Sequence, residues 1–347
     1  MSAARTALAA LRELPGVVRA WPGRDGELVF EALDGNGALR AGRIDESGSS
    51  ALVPFARDPK LPGLAPPAEG RLVVHRLNRR AVVLLADRAV KLLRPGRGQA
   101  VADASRRMGR IGLRAGFATA GVLVASGTRV DFSLLPGRTL HELGDEGGRA
   151  WGRFGELWPL LALAPRRSGL SEHGPAEEAG VLRNWLGHVQ RFQALPEPRL
   201  LERAVERVCG LLLDGGGPLV VSHRDLHDKQ LLWDGDRLGL LDLDTAALAE
   251  AALDLANLRA HLELRRVQGL LSPAARDRAI GRLEEAAGRL PVRSERFAAA
   301  LRASRLRIAM VYAFRPAARS WLPAWTEHCL RDAEASAKEM EPLEWST

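Results

Sequence analysis

The 347-residue chain lacks the features of several common protein classes. Its only cysteines, Cys209 and Cys329, lie far apart, and two cysteines cannot build a disulfide framework or a cysteine-rich metal site. No apolar run approaches the roughly 18 residues that a membrane span requires. Arg12 and Glu13 interrupt the N-terminal apolar stretch before a secretory signal could form. The sequence therefore predicts a protein of the reducing cytoplasm, without a membrane partner.

Lysine is also scarce. The formal net charge is +8, yet nearly all of the 50 basic residues are arginines, and the only lysines are Lys60, Lys91, Lys229 and Lys338. The arginines are spread along the chain and accompany many Ala, Leu and Gly residues, which is typical of a high-GC coding bias. There is no zinc-finger spacing, no aromatic RNA-binding signature and no basic heptad region. We therefore expect no nucleic-acid partner; a steep salt dependence of DNA or RNA affinity would favour that alternative.

The first 70 residues form one region in the sequence pattern. Residues 3–13 favour a short helix. Three β-like segments follow: ELVFEAL, GALRAGRI and SALVPFA. The Pro- and Gly-rich stretch 58–70, DPKLPGLAPPAEG, is typical of a linker. Residues 1–70 are therefore predicted to be an N-terminal extension or cap of α/β character.

Residues 71–135 change to a β-rich pattern. The short apolar runs RLVVHRL, AVVLLAD and AVKLLR predict an antiparallel meander, GVLVASG and RVDFSLL predict a further strand pair, and a helix is expected over residues 98–114. From residue 136 to 347 the pattern is mainly helical, and Trp151, Phe154, Trp158 and Leu161 fall on one helical face. The sequence thus predicts an α+β protein with a small antiparallel β lobe, a large helical lobe and a ligand cleft between them.

Residues 218–258 contain the strongest functional signal. The sequence is PLVVSHRDLHDKQLLWDGDRLGLLDLDTAALAEAALDLANL. It predicts a strand, a polar loop and then a β-hairpin whose returning strand ends at Asp242. The hairpin would bring the loop of Asp225 and the side chain of Asp242 to the same edge.

Phosphoryl transfer explains why such residues would converge. The reaction needs an in-line acceptor and divalent cations that neutralise the phosphates. One carboxylate, Asp225, can accept or orient the acceptor proton. A second, Asp242, can hold magnesium together with the side-chain oxygen of Gln230.

The segment resembles the catalytic core of the aminoglycoside phosphotransferase and choline kinase-like superfamily, which are small-molecule kinases of the protein-kinase-like fold. The shared pattern is His223-x-Asp225, Gln230 five residues later, Asp242 at a strand end, and Asp254 opening Asp-Leu-Ala. The resemblance implies a bilobal fold, ATP or GTP and Mg²⁺ as cofactors, and transfer to a hydroxyl of a small acceptor. Asp225 would be the base, Gln230 and Asp242 the metal ligands, Asp254 the residue that pins the loop, and His223 the residue that orients it.

The small lobe offers cofactor-binding candidates. Lys91 lies on the third apolar strand, where the kinase-like fold places a lysine that contacts the α- and β-phosphates. Asp103, the only acid between Asp87 and Asp131, is the candidate partner of Lys91. By resemblance, the Ser133 carbonyl and the Leu135 amide would hold the adenine base.

Several features depart from the protein-kinase pattern. There is no G-x-G-x-x-G, no D-F-G and no A-P-E, and an Asn78-Arg79-Arg80 turn precedes the strand pair that contains Lys91. Gln230 stands where Asn is common, as in maltokinase-like and glucosamine-kinase-like bacterial relatives, which also have an extra N-terminal domain. A sugar acceptor is therefore one alternative. A pseudokinase that binds a nucleotide or a partner without turnover is the other, and ATP turnover compared with ATP binding would separate it from a kinase.

The charge of the acceptor is a further expectation. Residues 297–326, expected to form part of the acceptor wall, hold Arg302, Arg305, Arg307, Arg315 and Arg319 and no Asp or Glu. A pocket for a polycationic aminoglycoside should collect carboxylates, because each amine needs a partner. We therefore expect a neutral or anionic hydroxyl compound; coding bias on a solvated helix face is the alternative explanation.

Overall fold

The N-terminal region is a helix followed by a small sheet. The computed structural model describes residues 3–67, 69–165 and 169–334. Helix α1 spans Ala3–Glu13, and the strands β1 (Val17–Pro22), β2 (Leu28–Leu33), β3 (Leu39–Ile44) and β4 (Ser50–Leu52) pair antiparallel in the order β1-β2-β3-β4. The predicted helix and the last three strands are confirmed. Strand β1 was not predicted, because Arg19 and Pro22 interrupt its apolar pattern.

The stretch 58–70 contains no helix or strand in its described residues, 58–67, 69 and 70, in agreement with its turn-rich composition. It is nevertheless not a loose linker, and this corrects the sequence interpretation. Leu61 and Leu64 are buried in one cluster with Leu72 and Leu92 of the following sheet. Burial of these side chains stabilises a fixed path for the segment.

The second sheet is the predicted meander with its added strand pair. This region contains β5 (Arg71–Arg76), β6 (Arg80–Leu84) and β7 (Arg88–Leu93), then helix α2 (Gly98–Arg114), then β8 (Ala118–Thr119), β9 (Val122–Ala125) and β10 (Arg129–Ser133). The sheet order is β5-β6-β7-β10-β9, antiparallel throughout, so β7 with Lys91 is central. Helix α2 buries Ala102, Ser105 and Met108, which lie three residues apart on one face.

The rest of the described chain is mainly helical. The helices are α3 (Leu140–Leu143), α4 (Gly148–Ala162), α5 (Pro175–Phe192), α6 (Pro198–Leu213), α7 (Leu253–Val267), α8 (Pro273–Ala287), α9 (Ser294–Tyr312) and α10 (Leu322–Glu334). Short 3-10 turns lie at Gly144–Gly147, Leu243–Thr245 and Pro316–Ala318. The strands are β11 (Arg138–Thr139), β12 (Glu172–His173), β13 (Leu219–Ser222), β14 (Leu231–Trp233), β15 (Leu238–Leu240) and β16 (Ala247–Glu250), in sheets ordered β11-β14-β15-β8 and β12-β16-β13.

The core of the helical lobe follows the predicted apolar stripes. Trp151, Phe154, Trp158 and Leu161 of α4 are all buried. Phe154 stacks on Trp158 with ring centroids 5.5 Å apart, and α4 packs against α8. The small antiparallel lobe and the helical lobe together give the predicted α+β class. The division of the chain at residues 70 and 135 stays a prediction.

None of the helices among residues 3–334 that the structure describes has the length and apolarity to cross a membrane.

Candidate active site

The loop of residues 223–230, between β13 and β14, is fixed at its start by Asp254. This carboxylate lies at the start of α7, and it accepts hydrogen bonds from the backbone N–H of His223 at 2.6 Å and of Arg224 at 2.8 Å. Asp254 is 2% exposed, so both bonds are made away from water. The predicted pin of the loop is therefore confirmed.

His223 connects the same loop to the hairpin strand. Its Nε2 lies 2.6 Å from the carbonyl oxygen of Leu241, and its Nδ1 accepts from the N–H of Asp225 at 3.3 Å. Because a carbonyl only accepts, Nε2 carries the proton and donates it. The ring thus fixes the spacing between the Asp225 backbone and the strand that leads to Asp242.

Two non-glycine residues in this region have left-handed backbones. Arg224 has φ 70° and Asp242 has φ 55°. Such conformations cost of order 1 kcal/mol or more and persist where surrounding contacts enforce them. Arg224 directly precedes Asp225, and Asp242 is itself a predicted metal ligand.

Asp225 itself is exposed. Its side chain is 53% accessible, and its Oδ2 lies 4.0 Å from Nε2 of His227. Burial lowers the pKa of His227, and the nearby carboxylates of Asp225 and Asp228 only partly offset this, so the ring is neutral at pH 7. Asp225 is therefore the accessible carboxylate of the loop, with a neutral imidazole beside it.

Asp228 was expected to be exposed, and this is corrected by the structure. It is 1% exposed and forms a two-pronged ion pair with Arg265 of α7 at 2.7 and 2.9 Å. His141 Nδ1 lies 2.9 Å from the same carboxylate. Burial raises the pKa of Asp228, but the hydrogen bonds from His141 and Arg265 outweigh it, and the pKa is lowered well below its ordinary value. Asp228 thus attaches the loop to α7 through Arg265. Lys229, in contrast, is exposed as predicted.

Gln230 and Asp242 are neighbours across the predicted hairpin, which is confirmed. Strands β14 and β15 pair with Leu231 opposite Leu240, and the N–H of Leu241 donates to the carbonyl of Gln230 at 2.9 Å. Gln230 and Asp242 both line one cavity. Their amide and carboxylate oxygens are hard donors of the type that Mg²⁺ prefers, so the donor set fits this metal.

Lys91 connects the two lobes. Its Nζ lies 3.0 Å from Oδ1 of Asp242 and 2.9 Å from Oδ2 of Asp244. Burial raises the pKa of Asp242, but the charges of Lys91 and Arg80 outweigh burial and lower it overall. Burial also raises the pKa of Asp244, and there the negative charge of Asp242 adds to burial against Lys91, so its pKa stays raised. Of the two carboxylates, Asp242 is therefore the one whose ionised form is favoured.

The structure does not bring Asp103 to Lys91, which corrects the sequence prediction. Asp103 lies on the solvent side of α2, where it accepts from Gln99 at 2.9 Å and Arg106 at 3.2 Å. The face of α2 that reaches the cavity presents Ser105 instead. Asp244 is instead the acid that contacts Lys91. The sequence signal that could have identified this partner is its position two residues after Asp242.

The cavity lies in the cleft between the two lobes. Its volume is about 450 Å³. The small lobe contributes apolar side chains such as Val74 and Ala89, and the hairpin contributes Leu232 and Leu240. The predicted hinge residues Ser133 and Leu135 also line it. One end of the cavity is thus apolar, and the other carries Lys91, Gln230, Asp242 and Asp244.

Comparison with known proteins finds one matching family and several similar solved structures. Residues 118–288 match the family "Phosphotransferase enzyme family" (APH). No curated protein matches the sequence. An amicoumacin kinase, hAmiN, has a similar structure with a TM-score of 0.57 and 10% identity, covering 77% of this chain and 89% of that one.

Two bacterial structures are also similar. A choline/ethanolamine kinase family protein from Mesorhizobium loti gives a TM-score of 0.53 and 17% identity, over 81% of this chain and 92% of that one. An aminoglycoside phosphotransferase from Streptomyces rimosus gives a TM-score of 0.50 and 21% identity, over 69% and 92%. At these identities the likeness establishes the fold, and it confirms the predicted kinase-like fold class.

Proposed function

Because this chain carries a domain of the phosphotransferase enzyme family over residues 118–288, we propose that the protein transfers the γ-phosphoryl group of ATP or GTP to a hydroxyl of a small molecule. The observation that carries the proposal is the contact of Lys91 with Asp242 at 3.0 Å across the cleft. A lysine from the small lobe and a carboxylate from the large lobe meet at the polar end of the cavity. That is the arrangement that a bound triphosphate and its cation require.

The nucleotide would lie along this cavity. Its base would fit the apolar end, with the Ser133 carbonyl and the Leu135 amide as hydrogen-bonding groups. The phosphates would lie at Lys91, whose ammonium would leave the two carboxylates or be shared with them. Arg80 also lines the cavity and would add positive charge there.

Gln230 and Asp242 would hold Mg²⁺ together with phosphate oxygens. The cation neutralises charge on the transferring group. Asp242 is suited to this role because Lys91 and Arg80 keep its pKa low despite burial, so the carboxylate is ionised at neutral pH. Asp244 would remain a partner of Lys91.

Asp225 would act on the acceptor. A hydroxyl oxygen of the acceptor forms the new P–O bond while the bond to the β-phosphate oxygen breaks, and that oxygen leaves with the electron pair of the broken bond. Asp225 takes the proton from the hydroxyl. Its 53% exposure leaves room for an acceptor. His223 accepts from its backbone N–H, and Asp254 holds the backbone of the two residues before it.

The test is transfer of labelled γ-phosphate from ATP and from GTP to a panel of sugars, amino alcohols and antibiotics with Mg²⁺. We expect transfer to at least one acceptor class, lost in Asp225→Asn. Nucleotide binding without transfer or hydrolysis in the wild type would instead favour the pseudokinase alternative. Selective transfer to a neutral sugar would favour the sugar-kinase alternative.

A further inference from the structure

Two cations, Lys229 in the loop of Asp225 and Arg315 after α9, have no carboxylate partner among the residues that the structure describes. Lys229 and Arg315 form no ion pair with any acid among residues 3–67, 69–165 and 169–334. The guanidinium of Arg315 lies 4.7 Å from the ring of Tyr312. Its Nε is buried and finds no hydrogen-bond acceptor in the part of the chain that the structure describes. A buried donor without an acceptor costs free energy, and a ligand oxygen would remove that cost.

The buried acids near these two cations, Asp228 and Glu31, already have partners. Asp228 is paired with Arg265 at 2.7 Å. Glu31, which is 0% exposed, accepts from Arg19 at 2.7 Å and from the N–H of His75. The excess charge of this region is therefore positive.

Lys229 and Arg315 lie close enough for their charges to affect each other and those of Arg265 and Arg19. Lys229 is exposed at the surface, but the protein atoms around it partly desolvate its ammonium and lower its pKa, and the charges of Arg265 and Arg315 lower it further. Burial also lowers the pKa of Arg315, with a contribution from Arg19 of β1. Strand β1 packs against the Pro316–Ala318 turn that follows Arg315. Strand β1 thus packs next to Arg315, and the charges of Arg265 on α7 and of Arg315 both act on Lys229.

This cationic region lies next to the proposed transfer site. Lys229 follows Asp225 by four residues in the same loop, which limits the separation of their Cα atoms to about 14 Å. The N–H of Lys229 donates to Nδ1 of His227 at 3.2 Å, and Nε2 of that ring is 4.0 Å from Asp225. Lys229 is therefore near enough to Asp225 for one small acceptor to contact both residues.

The other arginines expected in the acceptor wall already bind acids or polar groups of the protein. Arg305 pairs with Glu263 at 2.7 Å and with Asp332 at 2.8 Å, and Arg302 lies 3.7 Å from Asp332. The acids are supplied by α7 and α10, which the stretch 297–326 alone did not reveal. Arg307 donates to Asn257 at 2.8 Å, and Arg319 donates to the carbonyl of Arg12. The cationic wall expected from the sequence thus reduces to Arg315.

We propose that the acceptor carries an anionic group, a phosphate monoester or a carboxylate, which binds between Lys229 and Arg315 while its hydroxyl lies at Asp225. The proposal rests on the proposed kinase function. Arginine and lysine donate charge-assisted hydrogen bonds to such anions. A polycationic acceptor would meet the like charges of Lys229 and Arg315, with Asp225 as the one accessible carboxylate of the loop, which disfavours it.

The experiment uses hydroxyl compounds of matched size in four charge classes. A suitable series is sugar phosphates, sugar acids, neutral sugars and amino sugars, each with ATP and Mg²⁺. We expect kcat/KM for a phosphate or carboxylate member to exceed that of its neutral counterpart at least about tenfold, as one charged contact provides. The advantage should shrink as ionic strength rises. Whether phosphate or carboxylate is preferred identifies the anion.

Variants locate the anion site. Arg315→Gln and Lys229→Gln should each lower kcat/KM for the anionic member about tenfold and narrow its advantage over the neutral counterpart. Arg289→Gln, at an exposed arginine after α8, should preserve that advantage. If Arg315→Gln fails to fold, Lys229→Gln, at an exposed position, still tests whether the anionic group binds here.

The outcomes separate the two proposals. Transfer to neutral or cationic members with no preference for anionic ones overturns the anionic acceptor but leaves the kinase function standing. An anionic preference unchanged in both variants also overturns the assignment of Lys229 and Arg315. Absence of transfer to every class, with no ATP hydrolysis, removes the kinase function and this inference with it.

Discussion

At the scale of single residues, Asp225 is an exposed carboxylate on a backbone that other groups hold rigid. Asp225→Asn preserves shape and most hydrogen bonding but cannot take a proton. We expect turnover to fall about 10²- to 10⁴-fold while nucleotide affinity and the unfolding midpoint stay unchanged. Steady-state kinetics and nucleotide titration measure this. Wild-type turnover in the variant would exclude Asp225 as the base.

The metal ligands can be tested by magnesium titration. Asp242→Ala should abolish magnesium-dependent nucleotide binding or turnover, because it removes the ionised carboxylate at the polar end of the cavity. Gln230→Ala should raise the magnesium concentration needed for half-maximal turnover. Asp236→Ala, in the exposed turn of the same hairpin, is the matched control and should leave the titration unchanged. An unaltered titration in both cavity variants would disprove the assignment.

The candidate residues themselves could be named from the sequence, but not all of the side chains that they contact. The spacing of His223, Asp225, Gln230, Asp242 and Asp254 predicted one site, and the hairpin explains why they converge. It named Asp103 as the partner of Lys91 and missed Asp244, because that contact joins residues 153 positions apart. Asp103 was the nearer acid in sequence, but it lies on the wrong face of its helix.

At the scale of elements, the ion pair of Asp228 with Arg265 ties the 223–230 loop to α7. Breaking a buried pair leaves the remaining charge uncompensated, so Asp228→Asn should lower the free energy of unfolding by about 3–5 kcal/mol at pH 7. Asp277→Asn, at an exposed acid paired with exposed Arg276, should change it little. Denaturant unfolding of both variants measures the contrast. Equal effects would show that the pair does not hold the loop.

The same pair predicts a pH dependence. Burial raises the pKa of Asp228, yet the bonds from His141 and Arg265 lower it overall, so the folded state binds its proton less readily than the unfolded chain does. The stabilisation is present above the unfolded pKa of about 3.9 and is lost as the pH falls below it. The stability difference between wild type and Asp228→Asn should therefore narrow below about pH 4. A difference that is constant from pH 7 to pH 3 would contradict the assignment.

Elements with a regular apolar period were the most predictable. The meander strands and α2 follow alternation or helical spacing, so local sequence was sufficient. The path of residues 58–70 was not predictable in this way, because Leu61 and Leu64 are isolated apolar residues in a turn-rich stretch. Their burial depends on the facing sheet, which only the folded chain supplies.

At the scale of the whole molecule, the N-terminal region contacts both lobes. Helix α1 packs against α5 of the helical lobe, and β2 and β3 pack against β5 of the small lobe. Glu31 adds a buried link, since it accepts from the N–H of His75 at 2.7 Å. The region is thus joined to both lobes, although its sequence alone predicted an extension or cap that ends in a linker.

This arrangement predicts that the N-terminal region unfolds together with the rest of the chain. Leu8 of α1 is 2% exposed and faces the helical lobe, so Leu8→Ala should cost about 2–5 kcal/mol through lost burial and the cavity that remains. Leu160→Ala is the matched control, because Leu160 lies on helix α4 but is 61% exposed. Calorimetry should show one transition in the wild type, shifted to lower temperature without splitting in Leu8→Ala and nearly unmoved in Leu160→Ala. A separate early transition in Leu8→Ala, with the main transition unchanged, would mean that residues 1–70 unfold as an independent domain and that the packing of α1 against α5 does not couple them to the helical lobe.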